Sequence, residues 1–142
     1  MEKIIICLSG PANTGKTMSV RKLYELLGGK DRVDYPEIVD SLKYHNYTIG
    51  FTSVGDPNSA QEDDLEKMLK EDCDIVVAAS RTYGSTVDIV ERLAEKYHYK
   101  VIRYSLIYMY DDIGENLFNL SHEGNIHFIL TIIDKLIAKE AL

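Results

Sequence analysis

Short continuous apolar runs alternate along the chain with stretches in which apolar residues recur every three or four positions. The first run, KIIICLS at residues 3–9, is apolar on both alternating faces, so it predicts a strand buried on both sides. From Lys16 to about Leu27, the residues Val20, Leu23 and Leu27 fall at helical spacing, and Gly28-Gly29 stops the pattern. Two β-rich runs, EIVDSLKY and YTIGFTSV, flank His45-Asn46 and predict an antiparallel hairpin over residues 37–54. Asn46 can supply the positive φ that such a turn needs. Asn58 or Ser59 is placed to cap a helix with Glu62, Asp63 and Asp64 in its first turn and Leu65, Met68 and Leu69 facing inward. DIVVAAS, residues 74–80, is a second buried-strand run. Ser85 or Thr86 can cap a helix that carries Ile89, Val90, Leu93, Ala94 and Tyr97 on one face. YKVIRYSLIYM, residues 99–109, reads as the last strand, and a helix from about Ser121 carries Ile126, Ile129, Leu130, Ile133, Leu136 and Ile137 on its apolar side.

Strands alternating with helices predict an α/β fold in three layers: a mostly parallel sheet of about five strands, covered on both faces, with the hairpin adding one antiparallel edge strand. The order 2-3-1-4-5 is favoured over 2-3-4-1-5.

With 142 residues, the chain has the length of one domain, residues 1–142, and no room for a second. Of its residues 45% are hydrophobic and 27% charged, and no low-complexity tract or fixed-period repeat interrupts them. The net charge is −7, with 16 Lys and Arg scattered among 23 acids. Duplex nucleic acid and anionic membrane are poor partners for such a surface, because neutralising phosphates takes clustered positive charge. No run approaches a membrane span, and the N-terminus lacks a leader's apolar region and cleavage site, so cytoplasmic residence is expected. Cys7 and Cys73 sit in or beside apolar runs without metal-ligand spacing and read as buried free thiols.

One stretch carries chemistry. GPANTGKT, residues 10–17, lies between the first predicted strand and the first predicted helix and matches G-x-x-x-x-G-K-[ST] at Gly10, Gly15, Lys16 and Thr17. Gly10 and Gly15 permit backbone conformations that turn successive N–H groups of Pro11-Ala12-Asn13-Thr14 and its neighbours toward one concavity, Pro11 having no N–H to give. The helix that follows adds its N-terminal dipole. Lys16 is a compact cation for β- and γ-phosphates, and the Thr17 hydroxyl is placed to ligate Mg²⁺.

On these residues, positions 3–28 resemble the phosphate-binding core of the P-loop nucleoside triphosphatases. The resemblance implies the P-loop fold and a ligand, ATP or another nucleoside triphosphate with Mg²⁺, but no particular acceptor. Such a site also needs an acid at a neighbouring strand tip. Asp56, after IGFTSVG, can hold Mg²⁺ through a water or orient the nucleophile, or it is simply part of the turn Gly55-Asp56-Pro57-Asn58. Asp74 precedes its strand and reads as a solvated loop acid. Motor-type ATPases place Glu after the strand-end acid, where this chain has Pro57. The hairpin resembles the GTPase arrangement, but Thr52 falls where those proteins carry a Mg²⁺-associated Asp, and Ser80-Arg81-Thr82-Tyr83 replaces their guanine-reading segment. In that segment Arg81 can stabilise phosphoryl charge and Tyr83 can stack on a base, unless it is an ordinary loop. Arg21, Arg92 and Arg103 read as surface charges, and the tyrosines at 97, 99, 104, 108 and 110 as sheet packing. Two functions are compatible with this pattern: γ-phosphoryl transfer to water or a small acceptor, with Lys16, Asp56 and Arg81 in catalytic roles, or a slow-turnover nucleotide-dependent switch acting on a protein partner or a second copy.

Overall fold

The computed structural model describes residues 2–10, 15–30, 38–53, 61–80, 85–109 and 116–141. Nine elements follow one another: β1 (Ile4–Ser9), α1 (Lys16–Leu26), β2 (Val39–Tyr44), β3 (Tyr47–Thr52), α2 (Gln61–Lys70), β4 (Ile75–Ser80), α3 (Ser85–Tyr97), β5 (Lys100–Ser105) and α4 (Asn116–Ala141). The fold is α/β, with a five-stranded sheet that is parallel apart from the β2–β3 hairpin. The hairpin turn lies where the sequence predicts it, with both His45 (φ 49) and Asn46 (φ 70) in the left-handed region.

The strand order is β2-β3-β4-β1-β5, so the favoured order 2-3-1-4-5 is corrected to its alternative. Asp74 supplies the physical reason. It is a half-buried structural residue, not a solvated acid: its N–H donates to Thr48 O (2.9 Å), its Oδ2 accepts from Thr48 N (2.9 Å), and its carbonyl accepts from Ile4 N (3.1 Å). These bonds fasten the start of β4 to β3 on one side and to β1 on the other. Gly50 reinforces them, since a Cβ there would stand 3.0 Å from Cys73 Sγ and 3.1 Å from Met68 Sδ. The bare backbone lets α2 and the bend after it settle directly on β3.

The order also explains the layers. The β1–α1–hairpin connection crosses β4 in one direction, whereas β3–α2–β4 and β4–α3–β5 run in the other. Right-handed crossovers travelling in opposite directions must lie on opposite faces. Accordingly Ile4, Ile6 and Leu8 of β1 share one core with Val20, Leu23 and Tyr24 of α1 and Ile126, Ile129 and Ile133 of α4. Ile5 and Cys7 share the other with Leu65 and Met68 of α2 and Val90 and Leu93 of α3. All six residues of β1 are buried. Each of its fully buried apolar side chains contributes about 1.5–3 kcal/mol.

Two boundaries differ from the sequence pattern. The apolar run through Met109 outlasts β5, which stops at Ser105 because Asn125 of α4 takes over the backbone bonds: Ile107 N donates to its Oδ1 (3.0 Å) and its Nδ2 donates to Ile107 O (2.6 Å). α4 begins at Asn116, before Ser121, with Leu117 and Leu120 exposed, so no apolar face marks its first turn. α3 begins at Ser85, which puts both candidate caps, Ser85 and Thr86, inside the helix. The candidate caps Asn58 and Ser59 lie outside the described residues. Tyr97, Tyr99 and Tyr104 hydrogen-bond Glu66, the Cys73 carbonyl and Asn125 respectively, whereas Tyr108 is exposed and Tyr110 lies outside the described residues. Arg92 pairs with Glu62, and Arg103 is more than a surface charge, lying 3.6 Å from buried Cys7 Sγ and 2.6 Å from Glu91 Oε1. Both cysteines are buried and free; burial raises the Cys7 thiol pKa and pushes Cys73 up to about 11. Among the described residues no helix is long and apolar enough to cross a membrane.

The end of α1 gives a stability test. Gly28 has φ 111, its N–H donates to Glu25 O, and Gly29 N–H donates to Tyr24 O (2.8 Å), the paired bonds of a Schellman turn. A Cβ on Gly28 would meet nothing within 4 Å, whereas one on Gly29 would overlap the Tyr24 ring at 1.9 Å. That ring donates its hydroxyl to Asp40 (2.7 Å) and packs edge-on against Phe51. Gly29→Ala is therefore expected to cost about 2–4 kcal/mol from overpacking and a lost hydrogen bond. Gly28→Ala is expected to cost only the left-handed strain, about 1–2 kcal/mol. Urea unfolding of the two variants checks the ranking.

Candidate functional site

β1, β4 and β5 run parallel and stop in one row, with Ser9 opposite Ser80 on one side and Ser105 on the other. From β1 the chain leaves toward β3, and from β4 it leaves toward β5. Neighbouring strands whose connections depart in opposite directions open a crevice beyond their carboxyl ends, the usual ligand site of open α/β sheets. Gly10 leaves β1 at this crevice and Gly15 enters α1 beside it.

Local backbone chemistry shapes the site. Gly15 precedes α1 in the left-handed region (φ 90, ψ 19), provides no side-chain cap, and is followed by a first turn without an acid. α2, by contrast, opens with Glu62, Asp63 and Asp64. The positive end of α1 is thus left without a compensating side chain of its own. Lys16 Nζ donates to Gly10 O at 2.8 Å, so the half-buried side chain folds back toward the end of β1. Thr17 Oγ1 stands 3.5 Å from Ser53 O, the long limit of a hydrogen bond. Ser53 is itself fixed, its N–H donating to Ile38 O (2.9 Å) and its Oγ accepting from Ile38 N (2.7 Å). The hydroxyl of Thr17 and the carbonyl of Ser53 therefore meet at the end of β3.

The other flank of Gly15 belongs to α4. A Cβ on Gly15 would stand 3.2 Å from His122 Nδ1 and 4.0 Å from Phe118 Cζ. The rings of Phe118 and His122, one helical turn apart, are nearly parallel at 12° with centroids 6.4 Å apart. Burial lowers the His122 pKa; the Glu123 carboxylate opposes this and Lys22 adds to it. The sequence reading gives His122 no role, because nothing in its spacing ties it to a loop more than 100 positions earlier. Its one local signal is the i,i+4 aromatic pairing with Phe118.

Of the residues predicted for the site, the structure brings Gly10, Gly15, Lys16 and Thr17 together. Pro11, Ala12, Asn13, Thr14, Asp56, Arg81 and Tyr83 lie outside the described residues. Thr52 is buried in a row with Ala78, Cys7 and Arg103 across the sheet, one strand further from β1 than the 2-3-1-4-5 order would put it. Its hydroxyl, like that of Ser19 on α1, has no hydrogen-bond partner among the described residues.

No family model matches the chain, and no curated protein matches it. A solved structure described as the crystal structure of APE1195 is similar over 92% of this chain and 75% of that one, at 15% identity and a TM-score of 0.39. That likeness is too distant to bear on the chemistry of the site.

Gly15 is needed both for its φ and for the space His122 fills, and the two requirements separate in a double-mutant cycle. Gly15→Ala is expected to cost about 1–2 kcal/mol for the backbone alone, with the contact to His122 in addition. In a His122→Ala background the contact disappears, so the cost should fall by at least ~0.5 kcal/mol. Chemical denaturation of the four proteins measures the coupling.

Proposed function

We propose that the chain binds a nucleoside triphosphate with Mg²⁺ across Gly10–Thr17 in the manner of a P-loop nucleoside triphosphatase, and transfers its γ-phosphoryl group to water or a small acceptor. One observation carries the reading: Lys16 reaches back to Gly10 O at the acid-free start of α1, which has no side-chain cap, at the carboxyl end of the buried strand β1. A cation and a helix's positive end then converge on one small volume, which is what a polyphosphate requires.

In this reading Lys16 gives up the Gly10 carbonyl for a phosphate oxygen, exchanging a neutral acceptor for a charged one. Gly15 puts no Cβ of its own in the path of phosphates approaching the backbone. Hard oxygen donors suit Mg²⁺, and the Thr17 hydroxyl beside the Ser53 carbonyl fits that preference, so Thr17 would hold the ion, with Asp56 as the sequence-based candidate for a second contact. When bound, the ion neutralises phosphate charge. Arg81 retains its sequence-based assignment to transferring-phosphate charge and Tyr83 to the base. ATP is expected to bind at least as well as GTP, because the chain lacks the guanine-reading segment.

A second reading, a slow-turnover nucleotide-dependent switch or interaction module, is favoured by Met18 and Leu26. Both are 54% exposed on α1, the helix that would sense the phosphates. Turnover distinguishes the two.

Lys16→Ala should weaken Mg-ATP binding by about 1.5–3 kcal/mol while the fold persists, as calorimetry and circular dichroism can check. Unchanged affinity in the folded variant would remove the central claim. For Asp56→Asn, binding should hold while single-turnover phosphate release falls much further, since a contact made mainly in the transition state acts on turnover. Equal, clearly catalysed rates in the two proteins would end the catalytic assignment of Asp56. Tight ATP binding without phosphate release in the wild type would favour the switch.

A further inference from the structure

The two flanks of Gly15 differ chemically, and the difference orients the ligand. On the β3 side stand oxygen donors, the Thr17 hydroxyl and the Ser53 carbonyl. On the α4 side stand the rings of Phe118 and His122, directly against the glycine. Because β4 lies between β1 and β3, the segment that leaves β4 starts from the oxygen-donor side of β1. Among the described residues, the flank toward β5 belongs to α4 and to the backbone after β5.

Hydrogen bonds tie the backbone after β5 to α4 on that flank. Asn125, 2% exposed, binds both the N–H and the carbonyl of Ile107 and accepts from the Tyr104 hydroxyl, which holds Ile107 to α4. Ile107 nevertheless remains 60% exposed. A triphosphate whose Mg²⁺-bearing end lies at Thr17 must extend its other end away from β3. It then meets the rings of Phe118 and His122.

We propose that Phe118 and His122 form the nucleoside wall of the site: the heteroaromatic base and ribose of the triphosphate lie against these two rings, on the β5 side of Gly15. This inference rests on the phosphate site proposed above and adds a nucleoside-binding pair to it. Parallel aromatic rings offer a stacking face to any base, and stacking tolerates base identity, in keeping with weak base selection. His122, kept neutral by burial, offers one donor and one acceptor that suit a ribose or a base edge more than a phosphate. Neither residue needs to touch the transferring phosphoryl group.

The test compares Mg-ATP with Mg-tripolyphosphate, which carries the phosphates without the nucleoside, by calorimetry on the full chain. Phe118→Ala and His122→Ala should each weaken ATP binding about tenfold, the order expected for a lost base–aromatic contact, and leave tripolyphosphate within about twofold. Phe118→Leu keeps the apolar bulk and removes the ring, so it should show the same selective loss without the risk of a misfolded protein. Equal weakening of both ligands would mean that the rings act only by supporting Gly15, and would overturn the proposal. So would unchanged ATP affinity in both alanine variants. If wild type binds neither ligand, or Lys16→Ala weakens neither, the phosphate site itself fails and the wall with it. If tripolyphosphate binding depends on Lys16 but ATP gains nothing from either ring, the wall alone fails.

Discussion

Burial of β1 on every side is the constraint on which the rest of this molecule depends. Its six residues have hydrogen-bonded neighbours on both edges and helices over both faces, so the chain can leave it only at an end. When it does leave, at Gly10, the backbone passes from a fully paired ladder to the start of a helix whose first N–H groups have no partner within the helix. Such groups are expensive to leave unsatisfied in a partly enclosed place. A buried strand followed closely by a helix with no side-chain cap and no acid in its first turn therefore favours an anion at that point, and Gly15 and Lys16 shape what can meet it.

The rest of the sheet sets the chemistry around that demand. Because α1 crosses toward β3, its Thr17 arrives beside the Ser53 carbonyl. Because α4 returns from β5 over the same face, its Phe118 and His122 arrive beside Gly15. The two flanks acquire opposite characters from topology alone, polar oxygens toward β3 and aromatic rings toward β5. Asp74 contributes at a distance. By fastening β4 between β3 and β1 at the far end of the sheet, it fixes which strand ends border the crevice.

Much of this was legible in the sequence, and the pattern of success has a physical basis. Continuous apolar runs reveal a strand buried on two faces, so β1 and β4 were readable. Helical spacing closed by Gly28-Gly29 revealed α1, and His45-Asn46 revealed the hairpin. Hydrophobic pattern reports burial but not neighbours, which is why the strand order was misjudged: the deciding bonds come from Asp74, a charged residue whose role is invisible to an apolar count. The overlong last strand has the same origin, since Ile107 keeps its strand-like character while Asn125 takes its hydrogen bonds. The early start of α4 left no amphipathic trace because Leu117 and Leu120 face outward. Within the site, the glycines, Lys16 and Thr17 are local in sequence and could be found by motif. His122 meets Gly15 only through the packing of α4 on α1, so no spacing rule could have found it.

The account stands or falls on whether a polyphosphate seats at the start of α1. Backbone amide resonances of the ¹⁵N-labelled chain, followed during titration with Mg-ATP, test this residue by residue. The account requires the largest and saturable shifts at Gly10, Gly15, Lys16 and Thr17, with Ser53, Phe118 and His122 following on the two flanks. Shifts confined to the opposite end of the sheet, around the hairpin residues Tyr44–Tyr47, or no saturable shift at Gly15–Thr17, would contradict it.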